Sequence, residues 1–408
     1  MFLKKLWRYT RSYIERRKPI PLPPYIYIAF THAGVTRRLY GGDDITAQVT
    51  GRCIGALVVN KLVTDIKSGA ILVSDAEIVC LSAILHSESR DVRLCLTQPE
   101  ILVLVNIAFL GLGPVNSFKA NDAPLDLRDV LQQTLGILSQ ADPPQESTEI
   151  HPDQAAVIAH ISDDGPGYTI ISRLRGFLAT CMLDASTLAE EVRTSCLRLC
   201  LKTLWLLCKA YHRASDPLPH YFLLMFASPE MTHHFQTEND PVLRLTGCYF
   251  GALIASKSVD AVNLDVSLNP YLRGEERTCL SAILGTEIRN ALLRPYELRI
   301  INLRNVVSLI LGEIDTLFTD SEGIPVDTLR ENLLLLDTTK VTLCILADRL
   351  RDSRFMPSCL SMDKRLLLQE TYSDVEAAFG LHRSKHETVN ALGRLQKKLE
   401  DFNLPRDC

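Results

Sequence analysis

The feature that most constrains this fold is a stretch that occurs twice, TGRCIGAL at Thr50–Leu57 and TGCYFGAL at Thr246–Leu253. The two copies are offset by 196 residues, and the same offset aligns residues 21–62 with residues 217–258 without a gap. Identical residues occupy 13 of these 42 positions, far more than unrelated sequences share. The sequence therefore predicts an internal duplication with a period of about 196 residues.

A second repeated block, CLSAIL, extends the match, since it occurs at Cys80–Leu85 and again at Cys279–Leu284. We assign the first copy to residues 1–199 and the second to residues 200–408. A long helical pattern begins at a capping box, Thr187 with Glu190, and continues across this boundary to about residue 212. We therefore expect the two copies to stack as one continuous array without a flexible linker.

Both copies carry the sequence signals of α-helices and almost none of β-strands. Asp44 and Asp240 lie at matched positions, where aspartate is a favoured helix N-cap, and Pro241 suits the first helical position. Apolar residues then recur with the period of a helix. Alternating runs bounded by hairpin turns do not occur. Helical units of roughly 35 to 45 residues in a duplicated array predict an all-α fold of the α-solenoid type.

The TGxxxGAL and CLSAIL blocks resemble those of a group of uncharacterised fungal proteins with armadillo-like helices. In architecture the chain also resembles armadillo and HEAT repeat proteins, although no consensus repeat of either family can be written out. The resemblance covers most of the chain. It implies an armadillo- or HEAT-like solenoid, and it implies no activity.

Glycines form a GxxxG pattern on the same predicted helix of both copies, at Gly51 and Gly55 and at Gly247 and Gly251. Each interior glycine costs a helix about 0.5–1 kcal/mol relative to alanine, so four of them need a reason. We expect the glycines to admit the close approach of a neighbouring helix. A phosphate-binding loop is the alternative, but no Gly-Lys-Ser/Thr follows and no strand precedes.

Residues 2–13 predict an amphipathic helix with one apolar face. Its outer face is basic and consists of Lys4, Lys5, Arg8 and Arg11. Such a helix could contact an anionic membrane surface or serve as a mitochondrial targeting segment. The sequence LKKLW in this segment recurs inside the chain as LKTLW, where no targeting role is possible. We therefore favour a repeat helix over a membrane contact, and a membrane contact over mitochondrial targeting.

Two asparagines, Asn106 and Asn302, occupy matched positions in otherwise apolar helices. A buried amide needs hydrogen-bond partners, which the backbone of a neighbouring helix could supply. The resemblance to armadillo proteins allows another role, because inner-face asparagines in that family bind the backbone of an extended peptide. That family has many such asparagines, whereas this chain has one in each copy.

The matched pairs Arg37-Arg38 and His233-His234 are the other candidate contacts with a partner. A solvated end of a helix is the simpler interpretation, and a cationic patch that binds a protein or peptide is the functional one. His382 and His386 have the spacing of helical metal ligands. Ser384 and Glu387 form the capping box of the following helix, however, so we predict no metal site there.

Composition excludes several classes of protein. The net charge of −4 gives no general attraction to nucleic acid. Twelve cysteines without a CxxC pair favour buried, reduced thiols in an intracellular protein over a disulfide scaffold or a zinc module. The most apolar run, residues 101–115, is too short to cross a bilayer, and the start of the chain lacks a signal peptide.

No catalytic motif of a hydrolase, metalloprotease or nucleotide-binding enzyme occurs. We therefore predict a soluble, cytoplasmic or otherwise intracellular, non-catalytic scaffold that binds an unknown protein or peptide and needs no cofactor. A peripheral membrane protein that uses residues 2–17 is the first alternative. An enzyme whose site is assembled from distant residues is the second.

Overall fold

The computed structural model describes residues 2–15, 22–41, 43–69, 73–111, 126–139, 166–183, 187–213, 218–226, 229–264, 274–285, 295–318, 326–351, 361–380 and 384–402. Within these ranges the chain forms 19 helices and no strand, so the prediction of an all-α fold is confirmed. The chain divides into two compact units, Met1–Leu207 and Cys208–Cys408, called unit 1 and unit 2 below.

Unit 1 contains nine helices within its described residues and the larger part of a tenth. They are α1 (Phe2–Glu15), α2 (Pro24–Thr31), α3 (Ala33–Gly41), α4 (Ile45–Lys67), α5 (Asp75–Leu85), α6 (Ser89–Cys95), α7 (Pro99–Gly111), α8 (Leu127–Ser139) and α9 (Pro166–Leu183). The tenth helix, α10 (Thr187–Arg213), begins in unit 1 and ends in unit 2.

The core of unit 1 surrounds α4, which carries the repeated stretch TGRCIGAL. Helices α1, α3, α7 and α8 all pack on α4, and its residues 53–63 are buried throughout. Helix α2 packs on α3 and α5, and α9 packs on α6 and α7. A helix that is apolar on all sides is stable only when neighbours cover it completely, which explains the central place of α4.

Unit 2 is organised in the same manner around the helix that carries TGCYFGAL. Its helices are α11 (His220–Phe226), α12 (Pro229–Thr237), α13 (Pro241–Leu264), α14 (Gly274–Leu284), α15 (Pro295–Gly312), α16 (Ile314–Leu317), α17 (Val326–Arg351), α18 (Met362–Ala378) and α19 (Lys385–Glu400). Helices α12, α14, α15 and α17 pack on α13, while α18 packs between α17 and α19.

Several helices begin at the residues that the sequence indicates. Asp44 Oδ1 accepts the backbone N–H of Ala47 at 3.2 Å, and α13 begins directly after Asp240. The capping box predicted at Ser384 and Glu387 is present at the start of α19. The boundaries of these helices are therefore set by local hydrogen bonds to the first turn.

Helix α10 ends in a buried turn that unit 2 holds through its backbone. Lys257 Nζ donates to the carbonyl of Tyr211 at 2.8 Å, and Arg349 donates to the carbonyl of His212 at 3.0 Å. The imidazole Nε2 of His212 lies 2.7 Å from the carbonyl oxygen of Leu253. Cationic side chains at the last carbonyls of a helix stabilise its negative end.

Candidate functional site

A groove of about 1070 Å³ lies between α2, α3, α5, α6 and α9 of unit 1. We call it the unit 1 groove. Its lining combines three arginines, two carboxylates, several hydroxyl groups and a set of rings. The charged and aromatic members are Arg37, Arg90, Arg173, Glu88, Asp91, Phe30, Tyr40 and His86.

Two rings that line the floor of the unit 1 groove, those of Tyr40 and His86, pack with a third ring, Phe109, which lies behind them and does not line the groove. The His86 ring meets the edge of the Tyr40 ring, with centroids 5.2 Å apart, and stacks on Phe109 at 5.7 Å. His86 follows the last residue of α5 and has a φ of 48°, a left-handed conformation that turns the chain at the end of the helix. The floor is thus an aromatic surface.

Partial desolvation of the exposed His86 ring and neighbouring cations influence its charge. Desolvation, followed by the positive charges of Arg173 and Arg52, lowers the pKa of this imidazole. The ring is therefore neutral at pH 7 and adds no charge to the groove.

Arg173 of α9 is held in place by the C-terminal end of α5. Its guanidinium donates to the carbonyl of Leu85 at 2.5 Å and to Ser87 Oγ at 3.1 Å. This contact satisfies a carbonyl that the end of a helix leaves without an intrahelical donor. Arg173 is therefore a structural member of the groove wall.

Arg37 and Arg90 form the exposed cationic rim of the groove. Both side chains are exposed, and neither forms an ion pair with any residue that the structure describes. Asp91 is buried, and Glu88 is exposed on the same side. A partner could thus reach two unpaired guanidinium groups, which bind carboxylates with fixed geometry.

The GxxxG pattern positions the wall that carries Arg37. A Cβ added at Gly51 would lie 2.8 Å from the Cβ of Leu39 on α3, and one added at Gly55 would collide with the hydroxyl of Tyr40. These two glycines admit a neighbouring helix, as the sequence predicts. A Cβ at Gly247 would lie 3.0 Å from Phe235 of α12, whereas Gly251 would meet neighbours only at an ordinary 3.5 Å.

The two candidate asparagines make the same hydrogen bond in the two units. Asn106 Nδ2 donates to the carbonyl of Ala56 at 2.7 Å, and Asn302 Nδ2 donates to the carbonyl of Ala252 at 2.8 Å. Both side chains are buried. The amide of Asn106 therefore links α7 to α4, and the amide of Asn302 links α15 to α13. Neither residue lines the unit 1 groove.

The other candidate partner contacts lie on helix surfaces. Arg38 is exposed on α3 but does not line the groove that Arg37 lines. On α12, His233 is exposed and His234 is half-buried, with their ring centroids 6.4 Å apart. Of these four residues, Arg37 lines the unit 1 groove, and the other three line neither this groove nor the cleft of unit 2.

Helix α1 buries its apolar face, and its basic residues differ in exposure and in pairing. Leu6, Trp7 and Ile14 are buried, and α1 packs on α4. Arg11 pairs with Glu15 at 2.7 Å and donates to Gln133, while Lys5 and Arg8 are exposed and Lys4 is half-buried. The apolar face is therefore occupied by the protein, and only the outer face is accessible.

Other features predicted from composition can be placed within the described residues. The nine cysteines described are free thiols, and seven of them are buried. No described helix is long and apolar enough to span a bilayer. His386 is exposed on α19, and His382 lies outside the described residues. No group of three potential metal ligands is present in the described parts of the chain.

The sequence predicts Arg37 as a contact but not Tyr40, His86, Arg90 or Arg173. The sequence could have indicated two of these residues, because at their positions the first and second copies carry different residue types. Tyr40 corresponds to glutamine at 236, and His86, which follows CLSAIL, corresponds to glycine at 285. Arg90 and Arg173 carry no such signal.

Comparison with known proteins identifies no relative, since no family model matches the chain and no curated protein or solved structure is significantly similar to it.

Proposed function

We propose that this protein is an α-solenoid scaffold, built from a duplicated unit, that binds an acidic peptide segment of a partner protein in the unit 1 groove. Exposed Arg37 and Arg90, beside the lining rings of Tyr40 and His86, carry this proposal. The two guanidinium groups bind carboxylates of the peptide, and the ring floor contacts its apolar side chains. No step of catalysis is assigned to the groove.

The duplicated architecture is supported by contacts that recur at the same offset in both units. The hydrogen bonds of Asn106 and Asn302 go to alanines that lie 50 residues earlier in each case. Gly51 faces Leu39, and Gly247 faces Phe235, again at matched positions. In this proposal the asparagines fix helices within each copy and do not bind the partner.

An array of short synthetic peptides with matched acidic, basic and neutral composition tests the peptide-binding role. We expect the purified protein to retain acidic peptides. The double variant Arg37→Ser/Arg90→Ser should weaken this binding by at least about tenfold, since charge-assisted hydrogen bonds contribute about 1.5–3 kcal/mol each.

Arg38→Ser is the matched control, because Arg38 is exposed on the same helix but does not line the groove. It should bind acidic peptides with almost the affinity of the wild type. Equal loss in Arg38→Ser would show a diffuse charge effect, and unchanged binding in the double variant would contradict the assignment to the groove.

Peripheral membrane binding through α1 is a second candidate, favoured by the exposed aromatic residues on its outer face. Phe2 is 66% exposed and Tyr9 is 62% exposed, and both lie beside Lys5 and Arg8. Aromatic and basic side chains together suit an anionic bilayer surface. Sedimentation with phosphatidylserine vesicles should then depend on Lys5 and Arg8, and equal sedimentation of Lys5→Ser/Arg8→Ser would exclude this helix.

A further inference from the structure

Unit 2 has its own cleft of about 280 Å³, which lies over the glycines of α13 between α12, α14 and α15. We call it the unit 2 cleft. Gly247, Gly251 and Asn302 line it. The matched residues of unit 1 do not line the unit 1 groove, so a surface that is covered in unit 1 is open in unit 2.

In unit 1 the hydroxyl of Tyr40 lies against Gly55, and its ring packs with those of His86 and, through His86, Phe109. At the matched positions unit 2 has Gln236, Gly285 and Asn305, and all three line the cleft. Gly285 has a φ of 63°, close to the 48° of His86, so the backbone has the same turn in both units. All three rings are therefore missing in unit 2, where two of the positions carry an amide and one carries no side chain, and this leaves the space empty.

The lining defines the chemistry of the occupant. No charged side chain is present among the lining residues that the structure describes, and burial raises the pKa of the Cys248 thiol to about 12, which keeps it neutral. An ionised ligand would lose its hydration without gaining a counter-charge. Phe226, Phe235 and Ile283 supply an apolar wall.

The cleft also contains a buried hydroxyl without a partner. Thr232 is 2% exposed, and its Oγ1 forms no hydrogen bond in the structure. Its counterpart Thr36 donates to the carbonyl of Phe30 at 2.7 Å. At the mouth of the cleft, the amide nitrogens of Gln236 and Asn305 donate to carbonyls of Ile283 and Leu284. Their amide oxygens are thus acceptors for a ligand donor.

We propose that the unit 2 cleft binds a small, uncharged aromatic molecule with a hydrogen-bond donor, about the size of indole. The rings of unit 1 show which shape fits this position of the repeated unit. A buried apolar cavity of about 150 Å³ binds benzene in another protein, so a cleft of about 280 Å³ accommodates a fused two-ring molecule. This inference is independent of peptide binding in the unit 1 groove.

Calorimetric titration of the full-length protein with indole tests the proposal. Indole should bind, and benzoate, which is charged, should bind at least about tenfold more weakly. Thr232→Val removes the unpaired hydroxyl at constant shape, and we expect it to weaken indole about two- to tenfold while leaving benzene binding unchanged. Absence of indole binding to the wild type would overturn the proposal.

A variant that introduces two of the unit 1 rings at the matched positions of unit 2 tests whether indole binds in the unit 2 cleft. Gly285→His/Asn305→Phe should abolish indole binding while retaining the helical circular dichroism of the wild type. Retained binding in this variant would place indole elsewhere. If the variant does not fold, the contrast between indole and benzene in Thr232→Val decides the outcome. Binding of a peptide with an internal tryptophan tenfold more tightly than indole would instead assign the cleft to a protein partner.

Discussion

At the scale of single residues, the two GxxxG patterns have different energetic roles although their sequences match. Gly55 leaves space for the Tyr40 hydroxyl, whereas Gly251 faces the open unit 2 cleft. We expect Gly55→Ala to destabilise the protein by about 1–2 kcal/mol, because overpacking outweighs the gain of about 1 kcal/mol in helix propensity. Gly251→Ala should be neutral or stabilising by up to about 1 kcal/mol. Urea denaturation of both variants measures the difference.

Tyr40→Phe provides the control for this mechanism. The Tyr40 hydroxyl is buried without a hydrogen-bond partner, so its removal should cost little by itself. In the Gly55→Ala background the same change removes the colliding atom and should restore most of the lost stability. Equal instability of Gly55→Ala with and without Tyr40→Phe would show that another contact requires the glycine.

His212 should make the stability of unit 2 depend on pH. Burial lowers the pKa of His212 to about 4, below the value near 6.5 of an unfolded chain. Between these values the unfolded state binds a proton that the folded state does not. Stability is therefore complete above about pH 6.5 and falls as the pH decreases towards 4, by about 1.4 kcal/mol per pH unit.

His212→Gln isolates this contribution, since glutamine keeps an N–H donor for the carbonyl of Leu253 and does not titrate. The free energies of unfolding of wild type and variant, measured in urea at pH 7 and pH 5, should converge as the pH falls. Carboxylates that titrate in the same range contribute equally to both proteins. Parallel pH profiles would mean that the pKa of His212 is the same in the folded and unfolded states.

At the scale of helices, Asn106 and Asn302 should act as fasteners between the central helix of each unit and its neighbour. Asn106→Asp or Asn302→Asp places a carboxylate against a backbone carbonyl and buries its charge. Each change should destabilise the unit that contains it by about 3 kcal/mol or more. Urea denaturation followed by circular dichroism measures the loss, and native stability in both variants would favour a role in partner binding instead.

Sequence reasoning succeeds for helices where the determining interaction is local. Asp44, Asp240 and Ser384 bond to the first turn of their own helices, so spacing alone predicts where α4, α13 and α19 begin. The GxxxG pattern likewise predicts a close neighbour, because the cost of glycine in a helix is local. The pattern alone does not show that the neighbours of Gly251 lie farther away than those of Gly55.

The grooves require tertiary structure, because their residues come from helices that are distant in sequence. Tyr40, His86 and Phe109 belong to three separate segments, and no spacing rule links them. Comparison of the two copies does indicate the positions, since all three rings are replaced in the second copy. In a duplicated chain, such differences within the most similar blocks are a better guide to sites than the identities.

At the scale of the whole molecule, the sequence predicts one continuous array, and the two tryptophans allow a direct test. Both tryptophans, Trp7 and Trp205, lie in unit 1, so their fluorescence reports unfolding of that unit. Circular dichroism reports helices of both units. If the units unfold as one array, the two urea transitions should coincide.

Asn302→Asp in unit 2 extends this test, because it perturbs a site that contains no fluorescent reporter. In a coupled array it should lower the midpoint of the tryptophan transition as well as that of circular dichroism, and Asn106→Asp in unit 1 gives the direct effect for comparison. A tryptophan transition that Asn302→Asp does not change, while circular dichroism shows an earlier phase, would contradict coupling. Helix α10, whose last turn is held by Lys257 and Arg349, would then connect two units that unfold independently.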